Sequence, residues 1–365
     1  VYRYLDKLYN KQKEQVQDIS YKHSLSILDN NISIVFYDVT TLYFEVDKED
    51  DIRKTGFSKE GKHQNPQILL GLLVSIDGYP LAYEIFEGNK YEGHTMLPVI
   101  NGFKNRYKIA KLVIVADSGL LTSANIEELC AEGYEFILGA RIKSESTAVK
   151  QEILDFDYSN SKELLIEKAG GVKLLVTHSE KRAKKDEFNR IKGLSKLEKK
   201  IESGKLTKSN INNRGYNKYL KMDGEINLSI DMNKFEADSK WDGLKGFLTN
   251  TKLPNKDIIE NYTHLWKIEK AFRISKHDLR IRPIYHRIQR RIEAHICISF
   301  VAYKVYKELE RQLKLKNSTL SPEKAIEIAK TIYSVKVKTP NQKFKVSKTI
   351  LLTEEQKKLA EMFDF

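Results

Sequence analysis

Lys111–Ser118 reads KLVIVADS. Five apolar residues stand in a row from Leu112 to Ala116, three of them β-branched. A short unbroken run of that kind reads as a parallel strand buried on both faces. It ends on an acid, Asp117. A carboxylate at the end of a buried strand is costly unless it binds a cation or accepts hydrogen bonds, and strand ends are where open α/β sheets carry their sites. The modest alternative is that Asp117 only caps the turn that follows.

Outward from this strand the pattern stays regular. Upstream, His94–Arg106 has helical spacing, with Met96, Leu97, Ile100 and Phe103 on one side. Before it, QILLGLLVSI (Gln67–Ile76) and YPLAYEIFEG (Tyr79–Gly88) flank Asp77-Gly78, a strong hairpin signal that makes the two strands antiparallel. ISIVFYDVTTLYFEV (Ile32–Val46) reads as the first strand and carries Asp38 among Phe36, Tyr37, Val39 and Leu42. Downstream, Ser123 can cap a helix that stops at Gly133, and YEFILGAR (Tyr134–Arg141) is a further strand. The first 141 residues therefore read β-β-β-α-β-α-β, an α/β fold.

From 143 to 240 the strands weaken (KLLVTHS, INLSIDM) and basic residues accumulate: Lys181–Lys221 holds 14 Lys+Arg against 4 Asp+Glu. This stretch is either a solvated helix pair or a surface that follows phosphates. GLKGFLTNT (Gly243–Thr251) reads as a strand, Lys256–Lys276 as one long amphipathic helix, and Ile288–Leu313 as another after the break at Pro283. The tail holds a short helix capped by Ser321 with Pro322 at its first position, then a basic strand-like piece, and reads as peripheral. The expected organisation is a helical segment 1–30, core 31–142, insertion 143–240, core 241–313 and tail 314–365.

Composition bounds the function. The 365 residues carry 63 Lys+Arg and 50 Asp+Glu, a net charge of +13, which suits a polyanionic partner. Apolar residues at 41% support a folded core, and two cysteines, Cys130 and Cys297, build neither a disulfide framework nor a multi-Cys zinc site. No run approaches the roughly 18 apolar residues of a membrane span and no signal peptide is visible, so we expect a cytoplasmic protein. The chain opens at Val1 inside a polar helix-like stretch, and we expect a segment to precede it.

Glu269 is the third acid. Tyr262, Glu269 and Lys276 are spaced by sevens, nearly one stripe of a helix, with Leu265, Trp266 and Phe272 flanking it. On that reading Glu269 leans inward and Trp266 packs in the core. The alternatives are a surface acid paired with Arg273 one turn on, and for Asp38 a solvated strand-end acid. Hard divalent cations seek carboxylate oxygens, and two such ions can clamp both reacting oxygens of a phosphodiester. His63, His94 and His286 have no metal-ligand spacing and receive no role.

YDVTTLYFE around Asp38, VADSGLLT around Asp117, and GFLTNT followed by YTHLWKIEKAFRISKHDLRIRPIYHR around Glu269 resemble the DDE transposases of insertion sequences, in the IS-four-type superfamily. That group's third motif is Tyr-x2-Arg-x3-Glu-x6-Lys; Tyr262, Glu269 and Lys276 match in register, whereas Leu265 stands at the Arg position and Arg273 is the nearby guanidinium. The resemblance covers roughly residues 31–305. It implies an RNase H-like mixed sheet flanked by helices, with a mostly β, basic insertion between the second Asp and the Glu. It implies Asp38, Asp117 and Glu269 as catalytic residues holding two Mg²⁺, with Mn²⁺ as substitute, and Tyr262, Arg273, Lys276, Arg280 and Arg282 as DNA contacts. Lys270 and His277 extend that basic ridge; Trp266, favoured for the core, has stacking on an unpaired base as its alternative. Cleavage of transposon ends, strand transfer into double-stranded target DNA and a homodimer on DNA follow from the same resemblance. A nuclease that only hydrolyses DNA and a domesticated, inactive DNA-binding protein are the alternatives.

Overall fold

A computed structural model describes residues 2–7, 11–58, 61–120, 122–204, 206, 210–212, 215–223, 227–338 and 345–364. The chain divides into two compact units, Val1–Leu112 with His264–Phe365, and Val113–Thr263. The architecture within each is mixed α/β.

The first unit opens with helices α1 (Tyr2–Lys7) and α2 (Lys11–Ile27), then strands β1 (Ile34–Tyr43), β2 (Gln67–Ser75) and β3 (Pro80–Glu87). All three strands are antiparallel to their neighbours, in the order β3-β2-β1, with Asp38 opposite Leu72. The Asp77-Gly78 turn joins β2 to β3; Gly78 sits at φ +80°, where a residue with a Cβ is strained, and its N–H donates to Ser75 O at 2.8 Å. β2 is buried along its whole length, because α3 (Met96–Tyr107) and a later helix of this unit both pack on it.

The second unit is built on β4 (Val113–Ala116) and β5 (Glu135–Ala140), which run parallel with α4 (Ser123–Ala131) between them. Thr122, not Ser123, caps α4 by accepting from Asn125 N–H; Ser123 is the first helical residue. Next come α5 (Thr147–Asp155), β6 (Glu163–Glu167), β7 (Lys173–His178), α6 (Glu180–Glu202), β8 (Leu220–Asp223), β9 (Asn227–Ile230), α7 (Met232–Ser239), β10 (Leu244–Thr249) and α8 (Asn255–Thr263). β10 lies between β5 and β7, antiparallel to both, and β6 closes that edge. The stretch 143–240 corrects the mostly β expectation. Its longest described element is the 23-residue helix α6, against strands of 4 to 6 residues. The charged stretch between the two weak strands, for which a helix pair is one of the two readings, forms this helix, since long charged side chains are good helix formers. Residues 205, 207–209, 213 and 214 of the basic stretch lie outside those described.

Back in the first unit follow α9 (Trp266–Arg273), a π turn at Ile274–Asp278, α10 (Gln289–Leu315), α11 (Pro322–Lys330), the hairpin β11 (Tyr333–Lys338) and β12 (Lys345–Ile350), and α12 (Glu354–Phe363). The single helix expected over Lys256–Lys276 is thus two short helices and a π turn. α9 packs on β1 and β2, burying Ile268, Ala271 and Phe272. Spacing of three and four puts those residues on one face and leaves Trp266, Glu269 and Arg273 on the other. Trp266 is accordingly 52% exposed rather than in the core, and Glu269 is exposed rather than inward-leaning. Among the described residues no helix is long and apolar enough to cross a membrane.

Candidate active site

Asp117 follows β4 directly and is exposed. Its Oδ1 accepts a hydrogen bond from the Tyr262 hydroxyl at 3.0 Å. Tyr262 comes from the last turn of α8 and is buried, only 6% exposed. The ring lies edge-on against Phe247 of β10, with centroids 5.0 Å apart, and Lys245 Nζ stands 4.3 Å from its centroid. A cation over one face and an aromatic edge at the ring leave it little freedom. The hydroxyl reaches Asp117 because β5 has a glycine beneath it: a Cβ on Gly139 would lie 2.3 Å from that oxygen. A glycine inside a strand pattern signals such a close approach, and FILGAR carried that signal in the sequence. Tyr262, expected as a phosphate contact, is a buried side chain at the edge of a cleft, and its hydroxyl donates to the acid.

Asp117 and Tyr262 border a cleft of about 430 Å³ that Arg141, Lys143, Arg182, Trp241 and Lys245 also line. The sequence reading did not single out Arg141, Lys143, Trp241 or Lys245, because the first two follow β5 while Trp241 precedes β10 and Lys245 lies at its start, far apart in sequence and with no local motif. Lys143 is held by Asp238, which also takes Lys218 and, at 2.5 Å, the Tyr219 hydroxyl. Burial works to raise the Asp238 carboxyl, but these three hydrogen bonds outweigh it and keep it well below the usual carboxylate range. Arg182 pairs with Asp186 at 3.4 Å, one turn on. The cleft is thus walled by cations of which some are already fixed by acids.

The other two acids lie in the first unit. Asp38 is half-buried on β1, and its Oδ1 accepts from Val39 N–H at 2.7 Å. Glu269 is on α9, which packs on the same strand. Arg273 is exposed at the end of α9, and Lys276 is half-buried in the π turn. Arg280 is exposed with φ +50°, and Arg282 is half-buried with its guanidinium 5.3 Å from the Tyr43 ring centroid. Lys270, expected on the basic ridge, pairs with Glu310 of α10 at 2.8 Å. Burial would raise Glu310, yet Lys270 and Lys307 hold it at about 2. Leu265, at the motif's Arg position, is buried and immediately precedes α9.

As ligands for a hard cation the three acids have the right chemistry, carboxylate oxygen. Among the described residues no three His, Cys, Asp or Glu side chains stand together as a preformed cation cage.

The family model for the transposase DDE domain matches residues 29–304. The chain belongs to that family, whose chemistry is phosphoryl transfer on DNA with divalent cations. Among solved structures it is similar to the piggyBac transposase synaptic complex with hairpin DNA, at 8% identity and a TM-score of 0.45 over 80% of this chain and 50% of that one. It is also similar to the Mos1 transposase paired-end complex with the left transposon end, at 12% identity and 0.21, and to the Mos1 mariner paired-end complex with Mn, at 14% and 0.20. Each Mos1 match covers 35% of this chain and 42% of that one. The chain spans half the length of the piggyBac chain it matches. No curated protein matches it.

Proposed function

We propose that this chain catalyses metal-dependent cleavage of transposon ends in double-stranded DNA and transfer of the freed 3′ end into a target. Membership of the transposase DDE domain family over residues 29–304 carries the reading. All three expected acids are present, at Asp38, Asp117 and Glu269, and the third motif keeps Tyr262 and Lys276, which favours the IS-four-type group.

In this reading Asp38, Asp117 and Glu269 hold divalent cations, two Mg²⁺ with Mn²⁺ as substitute. When bound, these supply Lewis-acid stabilisation of the attacking and leaving oxygens. The chain's own contribution is positioning and charge. Tyr262 fixes the rotamer of Asp117 through Oδ1 and leaves Oδ2 for a ligand. Arg141 and Lys245 give the cleft positive potential for the DNA backbone, and the face of Trp241 offers a stacking surface for an unpaired base. Arg273, Lys276, Arg280 and Arg282 serve as phosphate contacts on the other unit, Lys276 as a point charge and the arginines as forks. A homodimer on paired ends is part of the proposal.

The test uses a labelled duplex carrying the element's own end, with Mg²⁺ or Mn²⁺, and resolves products by size. End-specific nicks together with joined products are expected. Nicks without joined products favour a nuclease that only hydrolyses, and retention without cleavage in either metal favours the inactive DNA-binding protein. Asp38→Asn, Asp117→Asn and Glu269→Gln should each drop cleavage below detection while duplex binding stays measurable. Any of them cleaving normally removes that acid from the site.

A further inference from the structure

The tail beyond the family match carries a hairpin whose composition and exposure call for a partner. Its base is fixed. Gln356, near the start of α12 and 4% exposed, accepts with Oε1 from Leu352 N–H at 2.5 Å and Thr353 N–H at 3.1 Å. Its Nε2 donates to Thr331 O at 3.2 Å and Thr331 Oγ1 at 2.8 Å. One buried amide therefore ties together the chain entering β11 and the chain leaving β12. Below it Leu313, Ala325, Ile328 and Leu359 form a small core of their own.

Among the described side chains of the ribbon that rises from this base, those of residues 333–337 and 347–349 are exposed on both faces. Tyr333 is 66% exposed and Val337 54%, and Lys336 and Lys348 are exposed as well. In the antiparallel register Lys348 stands opposite Val335 and Lys336 opposite Ser347, so each face presents a lysine. The twelve strand residues include four Lys and no Asp or Glu. Among the described residues no carboxylate pairs with Lys336 or Lys348. An isolated two-stranded ribbon in water is marginal, yet this one is anchored at its base and carries cations of one sign. A two-stranded antiparallel ribbon fits the major groove of B-form DNA, roughly 12 Å wide, and unpaired lysines suit the phosphates along it.

We propose that the β11–β12 ribbon is a DNA-contacting arm outside the catalytic domain, lying along the duplex with Lys336 and Lys348 on phosphates. It rests on the reading of DNA as the substrate and adds to it a surface that the catalytic motifs do not include. The competing explanation is that the lysines only keep an exposed edge from pairing with other chains.

The experiment uses the full chain and a 30-bp random-sequence duplex in EDTA, with binding followed by fluorescence anisotropy from low to moderate salt. For Lys336→Glu/Lys348→Glu, affinity should fall at least about tenfold at low salt, and the slope of log K against log salt should shrink by roughly two, about one per lost phosphate contact. Lys336→Gln/Lys348→Gln, which removes charge without reversing it, should show the same slope change. Lys336→Arg/Lys348→Arg should restore both. Wild-type affinity and slope in the Glu and Gln pairs overturn the proposal. So does a Gln pair that aggregates yet binds DNA unchanged, or a loss of self-association in sedimentation with DNA binding intact, which makes the ribbon a contact between copies. If the wild-type chain binds no duplex at all, the DNA reading itself falls and the arm falls with it.

Discussion

Two polar side chains, one in each unit, reach away from apolar surroundings and end on very different partners. Tyr262 is buried beneath the cleft of the second unit, and its hydroxyl ends on an exposed acid, Asp117. Lys304 is half-buried on α10 of the first unit. Its Nζ ends on Ser20 O at 3.1 Å and Ser24 Oγ at 2.6 Å, both on α2, with the Tyr79 ring centroid 4.4 Å away. A buried donor left unpaired costs about 1–3 kcal/mol, so both need their partners. The difference lies in what the bond controls. Tyr262 sets the geometry of a group that faces solvent, and its loss should be read in chemistry. Lys304 joins two helices, and its loss should be read in stability.

The hardest blow to this contrast falls at Gly139. Gly139→Ala puts a Cβ 2.3 Å from the Tyr262 hydroxyl and 3.1 Å from Ser118 N. Overpacking of this kind costs about 1–3 kcal/mol, and the ring cannot keep its bond to Asp117. Cleavage should fall as far as in Tyr262→Phe or further, with a lower Tm. Adding Tyr262→Phe removes the oxygen that the new methyl strikes, so the double variant should regain part of the lost Tm without regaining activity. Full additivity of the two changes in Tm would show that they do not meet. Tyr262→Phe alone is the next effect in size. Loss of an outer partner of a metal-binding carboxylate typically costs about 10- to 100-fold in metal affinity or activity, while stability changes by only about 1 kcal/mol. Mn²⁺ titration followed by electron paramagnetic resonance separates the two: weaker binding in Tyr262→Phe supports the positioning role, and binding equal to wild type while Asp117→Asn loses it ends that role.

The framework of this arrangement is visible in sequence, and the geometry of the site is not. LVIVA before Asp117 and the Asp77-Gly78 turn specify strands by local rules: an unbroken apolar run, and a φ that only glycine accepts easily. Those rules hold wherever the elements come to lie. The break between α8 and α9 has no such signal, since Thr263, His264 and Leu265 include neither Gly nor Pro. Read as one helix, the segment placed Tyr262 and Glu269 on a common stripe and turned Trp266 inward. Once it is broken, Tyr262 answers to Phe247 and Gly139, residues distant in sequence, while the phase of α9 is set by Ile268, Ala271 and Phe272. The 143–240 stretch failed differently: alternation in KLLVTHS and INLSIDM was legible as β7 and β9, but the charged helix α6 buries only Arg190, Gly193 and Leu197 and so leaves little periodic trace.

Lys304 gives the smallest effect and the clearest sign. Desolvation by burial pushes its pKa down from 10.5 to about 7, and Glu308 only partly opposes that. His23, Arg311 and Lys307 stand around the same α2–α10 junction, with His23 3.4 Å from Glu308 and Arg311 paired to Glu308 at 2.7 Å. A base whose folded pKa is lowered binds its proton more tightly when unfolded. Protonation therefore penalises the native state, fully so below about 7. Between about 7 and 10.5 the unfolded chain keeps a proton that the folded chain has released, and stability rises with pH across that window. Wild type should thus gain stability relative to Lys304→Met between pH 7 and pH 9, read by urea unfolding at each pH. His23 is also lowered, chiefly by desolvation, so its own contribution changes below its ordinary value of 6.5 and stays outside that window. Cleavage by Lys304→Met should match wild type at either pH. A wild type that loses ground to the variant as pH rises would mean that the ammonium form is what the junction prefers, and that Ser20, Ser24 and Tyr79 solvate the charge better than burial penalises it.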